Sequence, residues 1–215
     1  ERNHIMPNAL IWGASGGIGS ALVKTLKANG WQVHAAARNT DNIPAEADEI
    51  YQFNASQPES FKEIPLLLAH DGINLDLVVY AAGGIISDKM EDLGADNWNA
   101  VIDANLNGAY LGLQSVMHLV PKGGHLMVIG AYVDKIMLPK FGAYTVAKGG
   151  LEPMMTIFSK ENRRKNFTLV RPPAVDSAFW DNVPFNIPDG AMSPQQVADA
   201  ILQHYNDDKS GTIDL

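Results

Sequence analysis

The stretch Gly13-Ala14-Ser15-Gly16-Gly17-Ile18-Gly19 constrains this chain more than any other. It follows a short apolar run, Ala9-Leu10-Ile11-Trp12, and leads into a helical pattern that starts at Ile18. A strand that passes through glycines into a helix lets the backbone approach a phosphate closely. It also aims the free N–H groups of the helix start at negative charge. The loop therefore predicts a nucleotide site, and its place after the first strand predicts a dinucleotide.

The rest of the chain repeats the same alternation. Apolar runs at Ala9–Trp12, Gln32–Ala37, Glu49–Phe53, Leu75–Ala81, His125–Ile129, Phe167–Val170 and Thr212–Leu215 read as strands. Helical patterns fall between them at Ile18–Asn29, Pro58–His70, Asn97–Leu119, Tyr144–Asn162 and Pro194–Tyr205. Strands that are apolar throughout, alternating with helices of this length, predict an α/β fold: a doubly wound parallel sheet (Rossmann fold) of about seven strands with helices on both faces. Residues 1–6 read as an appended remnant and 7–215 as one nucleotide-binding domain. The Pro- and Asn-rich stretch 178–193 reads as a short lid. Pro153 falls inside a helical pattern, where a missing N–H predicts a kink.

Composition closes off other functions. The net charge is −8, with no dominant basic patch, which argues against a nucleic-acid or anionic-membrane partner. There is no cysteine, so disulfide, thiolate and cysteine–metal chemistry are excluded. The histidines have no ligand spacing, and no metal site is assigned; His34 and His125 read as structural. No apolar run reaches the roughly 18 residues of a membrane span, and no leader is visible, so the expected location is cytoplasmic.

Several stations along the chain carry a resemblance. The glycine spacing is Gly13-x-x-x-Gly17-x-Gly19. Asn54 follows the third strand, Ala81-Ala82-Gly83 the fourth, and Asn105-Leu106-Asn107-Gly108 falls in the long helix. Tyr144 and Lys148 stand four apart, and Pro172-Pro173-Ala174-Val175-Asp176-Ser177 follows the sixth strand. In this order the chain resembles the short-chain dehydrogenase/reductase family over nearly all of Ala9 to Leu215. The resemblance implies hydride transfer with NADP(H) or NAD(H), Tyr144 as proton donor, Lys148 on the nicotinamide ribose, and Asn105 holding a water in a proton relay. It implies that Gly13, Ser15, Gly17, Ile18, Arg38, Asn54, Ala82, Gly83, Tyr144, Lys148 and Val175 line the cofactor. It also implies a homodimer or homotetramer built on two of the long helices. Gly108, Gly112, Gly149 and Gly150 would permit close helix contact between copies, or equally packing within one.

Residue chemistry supports part of this independently. Positions four apart share a helix face, and an ammonium beside a phenol favours the phenolate, which predicts a lowered Tyr144 pKa. Arg38, directly after the second strand with no carboxylate at Ala37, suits the extra phosphate of NADP. NADPH is therefore the expected cofactor, with NAD possible.

The pattern breaks at one place. The family places a serine thirteen residues before its tyrosine, and here that position is Ala131. A substitute donor (Ser87 or Tyr132), an acceptor that develops no alkoxide, or a non-catalytic NADP(H) sensor each accounts for the loss. The second option matches the dihydropteridine reductase branch, which has alanine there and acts on a quinonoid, imine-like substrate. The expected substrate is thus a small carbonyl or a quinonoid compound.

Overall fold

Successive residues of a strand point to opposite faces, so an all-apolar strand needs cover on both sides. The computed structural model, which describes residues 6–215, provides it. Seven strands, β1 (Asn8–Trp12), β2 (Gln32–Ala37), β3 (Glu49–Gln52), β4 (Leu77–Tyr80), β5 (His125–Ile129), β6 (Asn166–Arg171) and β7 (Gly211–Asp214), form one parallel sheet. Their order is β3-β2-β1-β4-β5-β6-β7. The chain winds outward one way from β1 and the other way from β4. The carboxyl ends of β1 and β4 therefore flank the point of reversal, where ligands of open α/β sheets bind.

On one face, Ala9 and Ile11 of β1 join Leu22 and Leu26 of α1 (Gly17–Ala28) and Val197 and Ile201 of α7 (Pro194–Asn206). On the other, Leu10 and Trp12 join Phe61 and Ile64 of α2 (Ser60–His70), Leu113 of α4 (Gly108–Val116) and Leu151 of α6 (Gly142–Glu161). The outermost strands, β3 and β7, are mostly exposed and carry polar residues, as sheet edges require.

The elements follow the sequence reading with informative departures. The stretch read as one helix over Asn97–Leu119 is α3 (Ala95–Ile102), a π-turn at Asp103–Asn107, and α4. A short helix, α5 (Val133–Ile136), lies where none was expected, because four residues hold no periodic pattern. The helix with Tyr144 begins at Gly142 and runs through Pro153 without a break. Residues 178–193 contain one turn of 3-10 helix and are otherwise irregular. Their ends are joined, since Val175 bridges to Met192 and the Asp176 N–H donates to the Met192 carbonyl. Of the stretch read as a remnant, 1–5 lie outside the described residues.

The four glycines offered for helix contact pack within the chain. A Cβ on Gly108 would stand 2.1 Å from the Tyr80 hydroxyl, and one on Gly112 would stand 3.0 Å from the Tyr80 ring. Gly150 gives room to Leu106 and Gly149 faces Val133.

Candidate active site

The glycine loop has a geometry that only glycine permits at two points. Gly13 has a φ of +89°, and a Cβ there would lie 2.4 Å from the Ala82 nitrogen. A Cβ on Gly19 would lie 2.2 Å from the Gly13 carbonyl oxygen. The loop so folded delivers the start of α1 bare: no side chain caps it and its first turn has no acid. By contrast, α7 has a capping box from Ser193 and Gln196. Uncapped N–H groups at an acid-free helix start suit an anion.

Beside that helix start lies a cavity of about 620 Å³. Its floor comes from the carboxyl ends of β4, β5 and β6: Ala81 to Gly84, Ile129 to Tyr132, and Pro172 to Val175. Gly17, Ile18, Ala82, Gly83, Val175, Asn105, Tyr144 and Lys148, all singled out in the sequence, line it. Gly13, Ser15, Arg38 and Asn54 are not on its wall. They follow β1, β2 and β3 in turn, so they continue along the same carboxyl edge of the sheet. Arg38 is exposed and forms no ion pair among the described residues. Asn54 is engaged locally, its side chain accepting from the Ser56 N–H.

Tyr144 sits in the first turn of α6, half-buried, its ring packed between Phe141 and Phe179 at centroid distances of 6.2 and 5.3 Å. Lys148, one turn on, is buried and donates from Nζ to the Ile129 carbonyl at 2.8 Å. Its Nζ is 5.6 Å from the Tyr144 ring centre. Burial dominates both groups. It pushes the phenol well above its ordinary range and pulls the ammonium down to about 8. The expected lowering of the Tyr144 pKa is therefore reversed in this structure. The four-residue spacing sets the shared face, but the ammonium is tied to a backbone carbonyl and the phenol ring is packed between Phe141 and Phe179.

Asn105 is buried in the π-turn. Both its N–H groups are used, one on the Gly84 carbonyl at 2.7 Å and the other on the Val101 carbonyl at 2.8 Å. Its Oδ1 has no partner. That oxygen and the Lys148 Nζ look onto a common point: they lie 2.6 and 3.7 Å from where a Gly83 Cβ would stand. A side chain on Gly83 would crowd the Asn105 oxygen and cover the approach to the lysine.

The position of the missing serine is a methyl group, Ala131, on the cavity wall. Of the two substitute donors, one is committed elsewhere and the other, Ser87, keeps a buried Oγ with no partner. Ser87 is not on the wall, and Tyr132, which is, spends its hydroxyl on the Leu215 carbonyl at 3.1 Å. The remaining wall is largely apolar: Ile136, Leu138, Phe141, Phe179 and Trp180, the last fixed by an indole N–H donated to the Val175 carbonyl at 2.9 Å. Phe179 and Trp180 belong to the stretch 178–193 that the sequence marks as a lid. Ser177, also on the wall and packed against Gly17, had no signal beyond its place in the segment after β6.

A glycine loop at the reversal of a doubly wound sheet, with a tyrosine–lysine pair across the adjacent cavity, defines a nucleotide-dependent α/β oxidoreductase. The family model for short chain dehydrogenases matches residues 7–186, and the chain belongs to that family. It is 26% identical over 206 residues to an uncharacterized oxidoreductase of Staphylococcus aureus (strain N315), covering 90% of this chain and 88% of that one. It is similar in structure to an alcohol dehydrogenase of the archaeon Thermococcus sibiricus complexed with 5-hydroxy-NADP, at 28% identity and a TM-score of 0.85, covering 98% and 96%. A short chain dehydrogenase of Burkholderia cenocepacia J2315 in complex with NADP has the same fold, with 20% identity, a TM-score of 0.84 and coverage of 99% and 98%.

Proposed function

We propose that the protein is a reductase that uses NADPH, in preference to NADH, to reduce a small carbonyl or a quinonoid, imine-like compound. The observation that carries this reading is the convergence of the bare α1 start, Tyr144, Lys148 and the unpaired Asn105 Oδ1 on one cavity. The glycine cradle and the uncapped N–H groups fit a pyrophosphate. Arg38, exposed and without an acidic partner, suits a ribose phosphate, and the Thermococcus sibiricus enzyme binds an NADP derivative.

When bound, the reduced nicotinamide supplies hydride. The chain supplies the proton and the walls. Burial keeps Tyr144 a neutral phenol through neutral pH, the form that can donate to the acceptor oxygen or nitrogen. The phenolate left behind regains its proton from Lys148, still cationic below about pH 8. Lys148 is resupplied through the space shared with Asn105 Oδ1. The apolar wall excludes water and favours an uncharged acceptor.

The wall around Ala131 favours the quinonoid form of the substrate over a simple ketone. The Tyr132 hydroxyl on that wall is committed to the Leu215 carbonyl, and an acceptor whose charge develops on nitrogen depends less on a donor there. The test is NADPH oxidation with simple ketones and with quinonoid dihydropterin, alongside titration of NADPH and NADH. Turnover of the dihydropterin with tighter NADPH binding is expected. Tight NADPH binding without turnover of any acceptor would turn the reading to a sensor.

A further inference from the structure

The π-turn that places Asn105 has a cause outside the helix that contains it. Within Asp103–Asn107 the register slips by one residue: the Gly108 N–H donates to the Asp103 carbonyl, five back, instead of to Ala104. That slip leaves the half-buried Ala104 carbonyl without its usual helical partner. Tyr80, the last residue of β4 and 1% exposed, reaches across and donates its hydroxyl to that carbonyl at 2.8 Å. Its ring occupies the space that Gly108 and Gly112 leave. A side chain at Gly108 would drive the hydroxyl off the carbonyl.

We propose that Tyr80 is a positioning residue. Its phenol replaces the hydrogen bond that the slipped register gives up, holds the π-turn against β4, and so fixes Asn105 Oδ1 beside Lys148. On the far side, Leu106 packs into the gap at Gly150, two residues from Lys148, so the turn is clamped between β4 and α6. Phenol, glycine and asparagine form one device. Without the hydroxyl, the half-buried Ala104 carbonyl loses its partner, and the turn gains by relaxing toward ordinary helical register. Relaxation would rotate Asn105 away from the Gly84 carbonyl and from the lysine. The proposal rests on the reading of Asn105 as part of the proton path.

The experiment compares Tyr80→Phe, Asn105→Ala and the double variant with the parent. Phenylalanine keeps the ring that fills the core, so the fold is retained. Hydrogen–deuterium exchange on the protein without cofactor, read on peptides covering 103–112, should be on the order of tenfold faster in Tyr80→Phe and unchanged in β1 and β5. With NADPH and quinonoid dihydropterin, kcat should fall on the order of tenfold with KM for the pterin unaltered, and the pH–rate profile should move. In the Asn105→Ala background, Tyr80→Phe should add less than about twofold, because both changes act through one group. Unchanged exchange at 103–112, or kinetic losses that simply multiply in the double variant, would overturn the role of Tyr80 and leave the proton path standing. An Asn105→Ala variant with the parent's rate and pH profile would overturn the proton path itself, and this proposal with it.

Discussion

Replacing Lys148 by methionine should make the protein more stable and nearly inactive. Lys148 is 6% exposed, and the one hydrogen-bond partner of its ammonium is the Ile129 carbonyl. Its pKa falls from 10.5 to about 8 because burial penalises the charge. A lowered lysine pKa means that the unfolded chain binds this proton more tightly. Below pH 8 both states are charged and folding carries the whole penalty, about 3 kcal/mol at ~1.4 kcal/mol per unit. Between pH 8 and 10.5 the penalty is relieved as the folded state gives up its proton. Methionine removes the charge and keeps most of the volume, but it leaves the Ile129 carbonyl unpaired at a cost of about 1 kcal/mol. The net gain of about 2 kcal/mol should raise Tm at pH 7 on the order of 5 °C for a chain of this size. Scanning calorimetry on both proteins without cofactor, at pH 7 and 9.5, measures it. The gap should be widest at pH 7 and narrow at 9.5, while NADPH-dependent turnover of the variant falls by about a hundredfold or more. A variant that melts lower than the parent at pH 7 would refute the argument that the lysine is held at the expense of stability.

Other expectations follow from the same structure. Arg38→Ala should weaken NADPH at least tenfold and NADH by less than twofold, by fluorescence titration; equal losses would remove Arg38 from the phosphate site. Ala131→Ser should speed reduction of simple ketones on the order of tenfold and leave the dihydropterin rate within twofold, and no gain with ketones would mean that the missing hydroxyl does not limit them. His125 is buried against Thr168 and His204, at 2.7 Å between His125 Nε2 and Thr168 Oγ1, and burial followed by the His204 charge lowers its pKa to about 4. Such a histidine stays neutral when folded and takes a proton when unfolded. Stability is therefore full above about pH 6.5 and falls by about 3 kcal/mol on the way to pH 4. Melting against pH for the parent and His125→Gln should show that slope flattened in the variant.

The sheet and the site were legible to different depths. Apolar strands spaced by helices betray a parallel sheet because both requirements are local, and the glycine loop announces the β1–α1 turn for the same reason. Tyr144 and Lys148 share a face by helix spacing alone. What escaped depends on distant partners. The π-turn keeps the apolar rhythm of an unbroken helix, and only the Tyr80 hydroxyl, 24 residues away in sequence, accounts for the freed carbonyl. Tyr132 offered a hydroxyl on paper, but its partner is the Leu215 carbonyl, 83 residues on. The direction of the Tyr144 pKa turned on burial among Phe141 and Phe179, which a four-residue spacing cannot report.

The measurement that bears most directly on the central claim is turnover and NADPH affinity of Tyr144→Phe, determined on the same preparation. Losing the phenol hydroxyl and nothing else should lower kcat on the order of a thousandfold while the NADPH dissociation constant stays within about twofold. Turnover at the parent's rate would contradict the assignment of the proton to Tyr144.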